Sequence, residues 1–304
     1  MGEFDETIGF TLMGVIANTY LTGVIMTQFF TYLAHNLPGF EDPLWVKCLV
    51  AFLFAINITQ AGAVVYMAWF YCVTNFANPE IVGYSLWPYT FTALTTAILA
   101  ITNQMFQTWK IYLFTRNKTF VVFLIATSLA ACGLGITAAV KAWLDLELAK
   151  MAALQPIVEA NLALQCGIDV IIATVLTLTL RKSKTSFART DRILNRLIRT
   201  AVQSGSFTAL FALGTLFSFR FSAKTDMLGL FALPIGRIYT HTMMDHLVSR
   251  EQLQHMLTNN NDIMSVPLFH VRSVGINGSS SVIEPLALRP TQTLPKASKT
   301  VEGP

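Results

Sequence analysis

The chain has 304 residues, of which 53% are hydrophobic and only 12% are charged, and its formal net charge is +4. A soluble domain normally carries about 25% charged residues, so this composition excludes an ordinary soluble protein and predicts a protein of the lipid bilayer. The positive charge is concentrated in a few segments between apolar runs. We therefore interpret it as a sign of membrane sidedness, and we expect no nucleic-acid partner.

Seven apolar runs follow one another along the chain, each of about 20 to 28 residues, and a helix needs about 20 to cross the hydrocarbon core. They predict an all-α polytopic membrane protein, a bundle of seven transmembrane helices. The sixth run is the weakest, because residues 203–206 (Gln-Ser-Gly-Ser) interrupt its start. The runs are Ile8–Leu33, Val46–Val73, Leu86–Leu113, Thr119–Lys141, Ile157–Leu180, Ile198–Phe219 and Met227–Val248.

The distribution of basic residues predicts the orientation of this bundle. Lys and Arg concentrate in the segments after the third, fifth and seventh runs, and the positive-inside rule places such segments in the cytoplasm. The N-terminus is then outside and the C-terminus cytoplasmic. We expect an outer segment 1–7, a transmembrane domain 8–250 and a disordered cytoplasmic tail 251–304, in which Asn, Ser and Pro replace the apolar runs.

The most basic stretch, residues 181–199, holds seven basic residues and a single acid, Asp191. Part of it has the spacing of a helix face, with basic residues at steps of three and four. We interpret it as a helical cytoplasmic prolongation of the sixth span. Its cationic face is expected to contact lipid headgroups or to dock a cytoplasmic protein partner. The four residues of that face are Arg189, Arg192, Arg196 and Arg199.

Arg237 is the most costly residue inside a predicted span, because it lies about ten residues from either end of the seventh run. An arginine that faces lipid at mid-bilayer costs about 2.5 to 3.5 kcal/mol on insertion scales, so its side chain is expected to face the bundle. Pro234 removes a backbone hydrogen bond one turn earlier, which predicts a kink and freed carbonyl groups.

A polar stripe is predicted along the fifth span, where Asn161, Gln165 and Asp169 are spaced by four. Asp169 lies at the depth of Arg237, and an ion pair would be the economical way to bury both charges. Such a pair would have to meet across a central cavity, directly or through water. Other polar side chains that are candidates to line this cavity are Asn18, Asn57, Gln60, Asn103 and Gln107.

These polar residues allow three interpretations. Interhelical hydrogen bonds that only hold helices together contribute about 0.6 kcal/mol each on average. A ligand pocket and an ion or proton path would use the same side chains. As candidate ligand-binding residues we take Arg237, Asp169, Gln165, Asn161, Asn57 and Asn103.

A metal-dependent hydrolase is a more distant alternative. His241 and Asp245 are four apart in the seventh span, and His35 follows the first span, so the three could hold zinc. The chain has no HExxH or GxSxG motif and no phosphate-binding glycine loop. The seventh span also has no lysine for a retinal Schiff base. We therefore expect no catalytic residue, no metal and no cofactor.

Three segments resemble a large group of uncharacterised seven-helix membrane proteins of basidiomycete fungi, which are catalogued as a domain of unknown function. The segments are SLWPYTFTAL from Ser85, FARTDRILNRLIRTAVQSG from Phe187 and FALPIGRIYTHTMMDHLVSR from Phe231. The resemblance extends over most of residues 8–250 in span order and loop length. It implies seven membrane helices and a fungal source, and it transfers no catalytic residue.

Topology, mid-depth polar groups and a cationic inner segment together favour a receptor-like or sensory membrane protein. Its ligand would bind between the helices near Asp169 and Arg237, and the basic prolongation would report to the cytoplasm. The alternative is a transporter or channel for a small solute or an ion that uses the same polar lining. The sequence leaves the choice between plasma membrane and endomembrane open.

Overall fold

A computed structural model of the chain describes residues 8–35, 43–76, 86–144, 154–182, 188–221 and 227–258. Within these ranges the regular structure is helical, which confirms the all-α prediction. A π-helical turn, Phe70–Thr74, continues the second helix. The α-helices are α1 (Ile8–His35), α2 (Leu44–Trp69), α3 (Trp87–Thr115), α4 (Lys118–Leu144), α5 (Gln155–Lys182), α6 (Ala188–Phe221) and α7 (Met227–Thr258).

Four of these helices contain a stretch that is long and apolar enough to cross a membrane. This finding indicates a membrane protein, in agreement with the composition. The other helices, α3, α6 and α7, carry more polar and charged residues, and the prediction of seven spans and of the orientation stays a prediction. The four stretches are Ile8–Ala34, Leu44–Thr74, Lys118–Leu144 and Pro156–Lys182.

Polar and apolar side chains are distributed in the opposite way to that of a soluble bundle. Large apolar side chains lie on the outside, for example Tyr20 with 73% and Phe30 with 66% of the side chain exposed. Asn57, Gln60 and Arg237 are fully buried. Exposed apolar surface of this extent needs a nonpolar environment, which a lipid bilayer supplies.

The seven helices close into a ring in which each helix packs on the next and α7 packs on α1. In addition, α3 contacts both α5 and α7, so it crosses the middle of the bundle. Every residue from 233 to 240 is buried, including Pro234 and Gly236. The middle of α7 is therefore surrounded on all sides, and any polar group there must find its partners inside the protein.

Two apolar clusters lie at different levels of the contact between α1, α2 and α7. One consists of Val15, Val64, Met67 and Leu233. The other, larger cluster includes Ile25 of α1, Leu53 of α2 and Ile235 of α7, together with residues of α3. Asn18 and Asn57 fall between the two levels along their helices, so the buried polar layer is flanked by apolar packing.

Two helices, α6 and α7, extend about three turns beyond their predicted spans. The α6 helix begins at Ala188, which confirms a helical prolongation before residue 198. Arg199 is exposed, while the side chains of Arg189, Arg192 and Arg196 lie outside the described ones. The α7 helix continues to Thr258, past the predicted tail boundary at residue 250, because Glu, Gln, Leu and Met are good helix formers. Residues 259–304 lie outside the described part of the chain.

The α1–α7 contact predicts the effect of adding one methyl group at Gly14. A Cβ at Gly14 would collide with the backbone carbonyl of Gly229 and lie 3.1 Å from the Cα of Leu230. Backbone cannot move aside cheaply, so Gly14→Ala should lower the free energy of unfolding by about 1 to 3 kcal/mol. Thermal unfolding in detergent micelles measures this loss.

Gly23→Ala, in the same helix, is the matched control, because a Cβ at Gly23 meets nothing within 4 Å. This substitution should be neutral, or stabilising by up to about 1 kcal/mol through helix propensity. Equal melting temperatures for the two variants would show that α1 and α7 do not approach through Gly14.

Candidate functional site

Arg237 lies at the centre of the first polar cluster, which joins α7 to α1 and α2. Its Nε donates to the Asn18 Oδ1 at 3.0 Å, and its Nη1 donates to the backbone carbonyl oxygen of Asn57 at 3.0 Å and to the Asn57 Oδ1. The Asn57 Nδ2 in turn donates to the Thr240 Oγ1 at 3.1 Å. The guanidinium is thus held by one residue of α1 and one residue of α2.

Several buried polar atoms of α2, α3 and α7 have no hydrogen-bond partner in the structure. They include the Nη2 of Arg237, both amide atoms of Gln60, the Oγ1 of Thr96 and the Oδ1 of Asn103. Gln60 and Thr96 border Gly236: a Cβ there would lie 2.8 Å from the Thr96 Oγ1 and 3.4 Å from the Gln60 Nε2. Such groups cost about 1 to 3 kcal/mol each when they stay unsatisfied, so a further hydrogen bond to any of them would stabilise the structure.

Asp169 on α5 lies at the centre of the second polar cluster. One carboxyl oxygen accepts from the Tyr239 hydroxyl at 2.8 Å, and the other accepts from the Gln104 Nε2 at 3.2 Å. Only 7% of Asp169 is exposed. The carboxyl group therefore links α5 to α7 and to α3 in the middle of the bundle.

The predicted ion pair between Asp169 and Arg237 is wrong. The structure gives each group its own neutral partners, on different sides of α7. Tyr239 stands two residues after Arg237, which is about 200° around a helix, so the two side chains leave α7 in nearly opposite directions. A helix in the centre of a bundle can satisfy both groups without bringing them together.

The six predicted ligand-binding residues therefore fall into separate groups. Asn57 lies with Arg237, whereas Asp169 belongs to the second cluster. Further along α5, the Gln165 Nε2 donates to the Asn161 Oδ1 at 3.2 Å, so these two bind each other. Asn103 is buried on α3 and contributes one of the unpartnered oxygens. The structure describes a polar interior with several centres, and a ligand site that uses all six residues stays a prediction.

Sequence reasoning missed two residues of the second cluster, Gln104 and Tyr239. Both had a detectable signal. Gln104 lies beside Asn103 in a run of amides in the third span, and a buried tyrosine hydroxyl usually needs a hydrogen-bond partner. The signal of Tyr239 is the weaker one, because its ring fits the apolar pattern of the seventh span.

The residues considered for zinc do not form a metal site in the described part of the chain. His241 and Asp245 lie one turn apart on α7, and the side chain of His35 lies outside the described ones. Over the ranges that the structure covers, no group of three His, Cys, Asp or Glu side chains could hold a metal ion.

Comparison with known proteins gives one family. Residues 165–252 match the model of a family of unknown function (DUF6534). No curated protein and no solved structure matches the chain. The resemblance to a family of unknown function is supported over these residues, while its basidiomycete source and seven-helix character stay predictions. The matched segment includes Asp169, Arg237 and Tyr239, so both polar clusters have members in it.

The second cluster predicts the effect of removing one hydroxyl group. Tyr239→Phe keeps the ring and deletes the donor to Asp169, which leaves a buried carboxyl oxygen without that hydrogen bond. The free energy of unfolding should fall by about 1 to 3 kcal/mol. Tyr20→Phe, the same change at a ring that is 73% exposed, should have no measurable effect on thermal unfolding. A Tyr239→Phe protein as stable as wild type would show that the hydrogen bond from Tyr239 to Asp169 does not stabilise the fold.

Proposed function

We propose that the chain is a receptor-like or sensory membrane protein, and not an enzyme, with a ligand site in its polar interior. The observation that carries this proposal is the position of α7. Its buried middle makes polar contacts in opposite directions, from Arg237 to Asn18 and Asn57 and from Tyr239 to Asp169. A ligand that replaces a contact on one face would change the balance across the helix and shift it.

The unpartnered atoms support a ligand site in the interior over interhelical hydrogen bonding alone. If the polar side chains served only to hold helices together, their donors and acceptors would be paired with each other. Gln60 is fully buried, yet neither atom of its amide has a partner. Unused donors and acceptors beside a buried cation are what a polar ligand requires.

The apolar layers rank the alternatives. A channel needs a continuous polar path, whereas Val15 and Leu233 on one side, and Ile25 and Leu53 on the other, flank the layer of Arg237. A transporter that opens to each side in turn would still use such a layer and is the second candidate. For a receptor, the continuous helix from Arg237 to Thr258 offers a rigid route toward the end that we expect to be cytoplasmic.

A thermal-shift screen of purified protein against sterols, lipids, volatiles and small acids tests the ligand site. A ligand at about 100 times its dissociation constant adds about 2.7 kcal/mol of stability. We expect a stabilising compound for wild type whose effect disappears in folded Arg237→Gln. Arg199→Gln makes the same change at an exposed position of α6 and should keep the full effect.

The same screen can also reject the ligand site. If no compound stabilises wild type, and Arg237→Gln merely lowers the melting temperature, Arg237 acts as an interhelical contact alone. Flux of an ion or a small solute into proteoliposomes that contain the protein would instead favour the transporter, if Asp169→Asn abolishes it.

The proposed direction of signalling requires the expected orientation. In a variant without Cys48, Cys72, Cys132 and Cys166, single cysteines are introduced by Glu3→Cys or Lys299→Cys. In cells that carry the protein in the plasma membrane, a membrane-impermeant maleimide should label the first without permeabilisation, and the second only after permeabilisation, because basic segments stay in the cytoplasm. The reverse labelling pattern would show that the orientation is opposite to the expected one, with the basic start of α6 outside.

A further inference from the structure

The positive charge of Arg237 has no counter-charge among its contacts. Its guanidinium stays protonated in proteins, and the side chain is fully buried. The acceptors that it reaches are two oxygens of Asn57 and one of Asn18, all of them neutral. The buried carboxyl of Asp169 is bound by Tyr239 and Gln104.

We propose that Arg237, Gln60 and Thr96 bind a small monovalent anion, a halide such as chloride, inside the bundle. The anion supplies the missing counter-charge. The inference rests on the proposed function only in that both use Arg237, and it holds whether or not the bundle is a receptor.

Donors for the anion come from three helices. The Nη2 of Arg237 on α7, the Nε2 of Gln60 on α2 and the Oγ1 of Thr96 on α3 are all buried without a partner. Gln60 is one turn from Asn57, which already touches the guanidinium, and the Gln60 Nε2 and the Thr96 Oγ1 both border Gly236. N–H and O–H groups around a cation are the chemistry that binds a halide.

Buried water could satisfy the hydrogen bonds of these atoms, but it carries no net charge. An unpaired buried charge is far more costly than an unpaired neutral donor, so compensation of the charge decides in favour of an anion. The packing limits the size of the anion. A Cβ at Gly236 would overlap the Thr96 Oγ1 at 2.8 Å, so there is no free volume directly against Gly236, and apolar clusters flank the layer. A bulky carboxylate is therefore excluded from this position, and a monatomic ion requires the smallest displacement of the three donors.

The test is thermal unfolding of the full chain in detergent at constant ionic strength, while chloride replaces gluconate. For wild type, the melting temperature should rise with the logarithm of the chloride concentration once that exceeds the dissociation constant, and bromide should act alike. A melting temperature that is the same in chloride and in gluconate would overturn the proposal. Stabilisation by formate without stabilisation by chloride would overturn the assignment to a halide.

Two substitutions at Gln60 separate the anion from general salt effects. Gln60→Glu brings a carboxylate to the site, so the variant should melt at one temperature in chloride and gluconate. Gln60→Met keeps the volume and removes the amide donor, so stabilisation should begin at an about tenfold higher chloride concentration, as expected for a lost hydrogen bond to a charged group. A chloride response in Gln60→Glu that begins at the same concentration as in wild type would place the anion elsewhere.

These outcomes are distinct from those of the ligand screen. Chloride dependence in wild type without any stabilising compound would support the anion site and reject the receptor proposal. A compound that depends on Arg237 in a protein indifferent to chloride would do the opposite.

Discussion

Burial of the Arg237 guanidinium is the constraint on which the arrangement of α1, α2 and α7 depends. A charge that is fully buried in the middle of a helix must be surrounded by polar groups, and here Asn18 and Asn57 supply them from two neighbouring helices. Their geometry requires close helices, which the contact of Gly14 with Gly229 permits. Small residues and polar contacts thus act together, as they do between membrane helices generally.

The second polar cluster fixes the other side of α7. Asp169 receives hydrogen bonds from Tyr239 and Gln104, so three helices meet at one carboxyl group. Because Arg237 and Tyr239 leave α7 in nearly opposite directions, a sideways displacement of α7 that shortens the contacts on one side lengthens those on the other. The α7 helix is therefore held between two polar clusters, and the proposed ligand would act by shifting the balance between them.

Hydropathy and spacing predicted the helices well, because a chain in lipid must pair its backbone groups within helices. The steps of three and four in the basic segment likewise predicted the early start of α6 at Ala188. The pairing of polar groups was not predictable in the same way. Asp169 and Arg237 lie at similar depth, yet their partners depend on how each helix is rotated and on which helix occupies the centre. A single sequence specifies neither the rotation of each helix nor the helix at the centre. Charge complementarity therefore suggested an ion pair that the structure does not form.

The family match divides the polar interior in an informative way. Residues 165–252 contribute Asp169, Arg237 and Tyr239, while Asn18, Asn57 and Gln104 lie before the matched segment. Each cluster is therefore built by both parts of the chain, the matched part supplying the arginine and the carboxyl group and the preceding part supplying amides. For the proposed ligand site, substitution of Asn18 or Asn57 would alter which molecule fits beside Arg237 while leaving its charge in place. The polar interior is thus built by α1, α2 and α3 as much as by the helices of the matched segment.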